Sequence, residues 1–124
     1  MDTRESTVRN TVVFAAVVEF ATALALLIDP ALVARLLLGM ELGEAGAIFG
    51  RFFGVALIAL GLAWWSGASS GSAPRGMLAY NVLIAVYIAY LGAGQHHGGL
   101  LLWAAVALHC AVALILVLTR NRQA

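Results

Sequence analysis

Four residues able to do chemistry interrupt four apolar runs, one in each: Glu19, Arg51, Tyr87 and His109. A carboxylate and an imidazole exchange protons, a phenol and an imidazole hydrogen-bond carbonyl groups, and a guanidinium holds a carboxylate. In hydrocarbon, a lone carboxylate or guanidinium costs about 2.5–3.5 kcal/mol by insertion scales, so each needs a partner or must lose its charge. Counted at helical rise from the outer ends of their runs, Glu19 lies roughly 13 Å deep, Arg51 and Tyr87 roughly 9 Å, and His109 roughly 15 Å. This shared depth predicts a polar layer of Glu19, Arg51, Tyr87 and His109 lining a small ligand-binding pocket that opens outward.

Glu19 and Arg51 fall on neighbouring antiparallel runs and are expected to pair. At an effective dielectric near 20, such a pair at about 4 Å recovers about 4 kcal/mol, comparable to the insertion cost of one charge. The alternative for Arg51 is that its stem snorkels to the headgroups. Small residues mark the faces that turn inward: Ala15, Ala16, Thr22 and Ala23 around Glu19, and Ala105 and Ala113 around His109. Gly46, Gly50 and Gly54, spaced four apart beside Arg51, form a helix-packing ladder. Asn81 reads as an interhelical hydrogen bond nearer the inner side.

The elements that carry these residues follow from composition. Of 124 residues, 63% are apolar and 10% charged, and the mean hydropathy is +0.97. This is the composition of a membrane protein. The apolar runs cover about 8–28, 45–65, 77–92 and 99–118, each near the roughly 20 residues that cross a hydrocarbon core, and backbone satisfaction in lipid makes them helices. The first is too long for a signal core, carries Glu19 at its centre and has no small-x-small cleavage site, so it is expected to be retained. The third is the shortest and can extend back through Pro74 at a first-turn position. Between the first two, Asp29 and Pro30 open a short segment that ends at Gly39, an interfacial helix over about 30–38. The expected fold is therefore all-α: a single domain over 1–124, a polytopic four-transmembrane-helix antiparallel bundle with one interfacial helix.

Arg4, Arg9, Arg75, Arg120 and Arg122 fall on one side of this arrangement, which by the positive-inside rule puts both termini in the cytoplasm. Trp64 and Trp65 at the inner boundary and Trp103 near the outer one are expected to form aromatic belts. The net charge of +1, with arginine as the sole basic residue type, argues against a nucleic-acid partner. The lipid bilayer is the expected partner, with a larger membrane complex or a homo-oligomer left open. No metal site is expected: His96 and His97 have no adjacent acidic or cysteine ligand, and His109 is roughly 18 Å further along. No nucleophile has an activating partner, because Cys110 points about 100° away from His109. No catalytic residue and no cofactor is assigned.

The run Pro30, Leu38-Gly39, Gly50-Arg51-Phe52-Phe53-Gly54 and Leu60-Gly61-Leu62, with a carboxylate in the preceding helix, resembles small bacterial four-helix membrane proteins grouped as DoxX-like. The resemblance implies a bacterial inner membrane protein, and some relatives are associated with quinone or thiol redox systems. The lysine often found in those relatives is absent here. The expected function is a small amphipathic ligand-binding module or a membrane-complex subunit. The alternatives are a quinone-linked redox component, with His109 and Tyr87 on the carbonyls and Glu19 taking protons, or a small-solute or proton-linked transporter.

Overall fold

The computed structural model describes residues 3–68 and 73–121. Five helices account for nearly all of them: α1 (Thr3–Ile28), α2 (Pro30–Leu38), α3 (Glu44–Ser66), α4 (Ala73–Gly94) and α5 (Leu102–Asn121). Four are long and apolar enough to cross a membrane, with best 18-residue windows of mean hydropathy between 1.6 and 2.4. The fold is thus all-helical, with four long apolar helices and one short one. The third long helix does reach back through Pro74, starting at Ala73. Thr22, inside α1, returns its hydroxyl to the Val18 carbonyl at 2.9 Å and so brings no unpaired donor into an apolar stretch.

The short helix is punctuated by its own sequence. The Asp29 side chain accepts from the Leu32 amide at 2.9 Å, Pro30 occupies the first turn, and Gly39 ends the helix at φ 68°. The Gly39 amide donates to the Arg35 carbonyl at 3.0 Å. Two carbonyls of the last turn are capped from elsewhere in the chain: the Gly99 amide donates to Leu37 at 3.3 Å and the Leu101 amide to Leu36 at 2.8 Å. The connection between α4 and α5 therefore clasps the end of α2. This clasp moves the start of the last helix from the expected 99 to Leu102, because amides bonded to α2 precede it.

The long helices form two close pairs, α1 with α3 and α4 with α5, and the pairs touch each other more lightly, chiefly through α1 and α5. Inward faces repeat at three or four residues: Val12, Ala15, Ala16, Glu19, Ala23 and Leu26 on α1; Gly54, Leu57, Gly61 and Trp64 on α3; Ala73, Met77, Asn81, Ala85 and Ile88 on α4. Near the termini, Val12, Ala15, Ala16, Trp64, Ala73, Met77, Val112 and Leu116 from all four long helices form one apolar cluster. Toward the clasp, Ala23, Leu26 and Leu57 form a second. The polar side chains on the inward faces lie between these layers.

Trp64 departs from the expected aromatic belt. It is 3% exposed and belongs to the core, because it continues the stripe Gly54, Leu57 and Gly61. Trp65 and Trp103 face outward.

Candidate functional site

Glu19 is the one carboxylate on an inward face among the described residues, and it is 4% exposed. The Tyr80 hydroxyl donates to its Oε2 at 3.1 Å. Tyr80 is itself held between two rings, edge-on to Trp64 at 5.1 Å and to His109 at 5.9 Å between centroids. His109 Nδ1 lies 2.8 Å from Asn81 Oδ1, and Asn81 Nδ2 donates to the Met77 carbonyl at 2.8 Å. With the amide nitrogen spent on Met77, Oδ1 is the acceptor and His109 Nδ1 carries the proton. In the neutral ring, Nε2 is then left as an acceptor.

Two acceptor atoms remain, Glu19 Oε1 and His109 Nε2. Every fully buried side-chain polar atom among the described residues has a partner, and these two have none, so both keep contact with open space. Both residues line one crevice, together with Phe14, Ala15 and Val18 of α1, Asn81 of α4, and Leu108 and Val112 of α5. It is small, with room for roughly one water molecule. From Glu19 it runs toward Phe14, and from His109 toward Val112, so it extends toward the end of the bundle that carries the termini. This reverses the outward opening expected from depth.

The expected four-residue layer is corrected in two places. Glu19 and His109 line one site, whereas Arg51 and Tyr87 lie elsewhere and both are exposed. The Arg51–Glu19 ion pair is not formed: Arg51 Nε donates to the Leu27 carbonyl at 3.3 Å, in the last turn of α1. A Cβ added at Gly54 would meet Ala23 and Leu26, and one at Gly61 would meet Phe20, so the part of α3 level with Glu19 is near Leu57 to Gly61. Arg51 is therefore offset from Glu19 by roughly 12 Å along the helix. The first turns of α3 overhang the end of α1, with Gly50 resting on Pro30, so equal counts from the two ends are not equal heights. Arg51 instead satisfies a carbonyl at a helix C-terminus, where a cation is also favoured by the helix dipole.

Tyr87 fails by azimuth. The buried stripe of α4 is Ala73, Met77, Asn81, Ala85 and Ile88, and Tyr87 is not on it. Tyr80, adjacent to Asn81 on the flank of that stripe, provides the phenol instead. The signal for it was available: the small and apolar residues at four-residue spacing about Asn81 define the inward face, and Tyr80 is the aromatic beside its one polar member. Of the glycine ladder, Gly54 is packed on α1 and Gly50 on Pro30, while Gly46 meets only the side chain of Leu42.

Compared with known proteins, the chain matches no protein-family model, no curated protein and no solved structure. The chemistry of the site is thus read from its own atoms. Its polar members are cross-linked in pairs, each joining two helices: α1 to α4 through Glu19 and Tyr80, and α4 to α5 through Asn81 and His109. Replacing Asn81 by Leu strands the His109 Nδ1 proton and is expected to cost about 2 kcal/mol. Replacing both Asn81 by Leu and His109 by Phe is expected to recover about 1 kcal/mol of the summed losses, measured as a double-mutant cycle of unfolding in detergent. Strictly additive losses would mean that the two side chains are not bonded.

Proposed function

We propose that the protein is a single multi-pass membrane unit of the bacterial inner membrane, related to the DoxX-like proteins, that binds a small amphipathic molecule in the crevice between α1 and α5. Four apolar helices support the membrane reading, and so do their outward faces. Phe49, Phe52, Leu83 and Val86 are all more than half exposed, surface that hydrocarbon covers and water would not. One observation carries the ligand reading: a buried carboxylate and an imidazole, each with one acceptor atom left over, line the same crevice, whose other walls are mostly apolar. A site with a few convergent polar atoms on apolar walls suits a molecule with a polar head and an apolar body. A quinone is a poorer fit, since its carbonyl oxygens require donors and the crevice presents acceptors.

Mass spectrometry of the protein released from native membranes in mild detergent tests this reading. A small molecule bound once per chain is expected, and His109→Leu should remove it. A bare chain accompanied by other proteins would replace the ligand-binding reading with that of a complex subunit.

The orientation follows from the arginine count, which favours cytoplasmic termini. In a Cys110→Ala background, a cysteine at Gln95, in the α4–α5 connection, should react with an impermeant maleimide applied to the outside of intact cells. Labelling only after the inner face is exposed would invert the topology.

A further inference from the structure

Among the described residues no fixed cation pairs with Glu19, so its carboxyl group either stays neutral or takes a countercharge from an occupant. Among the described residues, the sole polar partner of the Glu19 carboxylate is the Tyr80 hydroxyl, which supplies one hydrogen bond and no charge. Arg51 is engaged at Leu27, and Arg35 pairs with Glu41 at 3.2 Å. Arg4 and Arg9 lie on α1 itself, roughly 15 Å or more along the helix from Glu19. From the other helices, Tyr80 of α4 bonds Glu19, and Asn81 of α4 with Leu108, His109 and Val112 of α5 line the crevice with it, none of them a fixed cation.

The second acceptor sharpens the requirement. Asn81 holds the proton of neutral His109 on Nδ1, so Nε2 keeps a free lone pair, and His109 lines the same crevice as Glu19. An occupant that satisfies both atoms must bring at least two hydrogen-bond donors, and one that compensates the carboxylate must bring a positive charge. It must also have a head about the size of a water molecule, because the crevice has room for roughly one. A primary ammonium group meets all three conditions: three N–H donors, one charge and a compact nitrogen centre. A guanidinium is too broad, a trimethylammonium has no donor, and a carboxylate is repelled.

We propose that the crevice takes the ammonium head of a protonated primary alkylamine, held between Glu19 Oε1 and His109 Nε2, with its hydrocarbon tail leaving between α1 and α5 past Phe14 and Leu108. The assignment rests on the reading of the crevice as a ligand site and names its chemical class. Phe14 is 53% exposed and Leu108 is half-buried, so the tail passes from the crevice to the apolar outer surface along side chains it can wet.

The test titrates dodecylamine into the protein in phosphatidylcholine nanodiscs and follows the imidazole nitrogen signals of His109. Dodecanol and dodecyltrimethylammonium are run in parallel, and protein-free discs give the partition baseline. Saturable binding of dodecylamine is expected, at least tenfold tighter than either comparator. Glu19→Gln, which keeps an acceptor for Tyr80, should weaken it at least tenfold without lowering the unfolding midpoint. Equal binding of dodecyltrimethylammonium would overturn recognition of the N–H donors. Dodecanol binding as tightly as the amine, in a saturable manner, would overturn the cation while leaving a ligand site in place. No saturable response from any of the three would overturn both. The comparison of head groups uses the unaltered protein, so it decides the matter even if Glu19→Gln does not fold.

Discussion

Gly99→Ala is expected to destabilise the fold by roughly 3 kcal/mol, while Gly98→Ala, one residue away, leaves it unchanged. A Cβ at Gly99 would run into the carbonyl groups of Leu36 and Leu37, and backbone cannot yield as the end of a side chain can. Relief requires the connection to lift off α2, which breaks the bonds from Gly99 to Leu37 and from Leu101 to Leu36. It also disturbs Gly39, whose own Cβ position is 2.8 Å from the Gly98 carbonyl oxygen. A Cβ at Gly98 meets nothing within 4 Å. Thermal unfolding of the two variants in the same detergent, followed by circular dichroism, makes the comparison. Equal midpoints would mean that the connection does not seat on α2.

The second large effect belongs to Gly54. Its Cβ position is 2.9 Å from the Ala23 carbonyl oxygen and 3.2 Å from Leu26 Cβ and Leu27 Cγ, so α1 and α3 meet there with no room for a side chain. Gly54→Val is expected to cost about 3 kcal/mol by separating the pair. The other two glycines of the ladder should be graded beneath it. At Gly50 the obstacle is the Pro30 ring at 2.8 Å, which is stiff, and Gly50→Ala should be intermediate. At Gly46 the nearest atoms are those of Leu42, an adaptable side chain in a connection, and Gly46→Ala should be the mildest. Unfolding midpoints that fall in the reverse order would place the close approach at the other end of the helix.

These glycines also show which information the sequence carries plainly. Hydropathy and punctuation located the helices, including the short one from Asp29 to Gly39, because helix ends in this chain are marked by residues whose chemistry acts locally. The site was legible by depth but not by direction. Depth along a run selected Tyr87 and Arg51, and each then failed on a coordinate that a count of residues from a helix end does not contain. Tyr87 has the wrong azimuth. Arg51 has the wrong height, because Pro30 and Gly50 set the overlap of α1 with α3, and that overlap is decided by packing between residues far apart in sequence. Glu19 and His109 line one crevice, and each is surrounded on its own helix by small residues that let neighbours approach. The segment Gly50-Arg51-Phe52-Phe53-Gly54 builds the junction of α1, α2 and α3. Its glycines seat on Pro30 and Ala23, and its arginine on Leu27.

The two helix pairs are joined at both ends by different means, all-helix apolar packing near the termini and backbone hydrogen bonds at the clasp on α2. A frame riveted at both ends and slotted in the middle behaves as a gauge. Its aperture is set by the spacing of the main chains and by the side chains between them, of which Phe14 is the one exposed member. On the proposed ligand reading, entry is sideways, past Phe14. Ala15 and Val112 belong both to the apolar fastening and to the lining, so a change of side-chain volume at either alters the fastening and the crevice together.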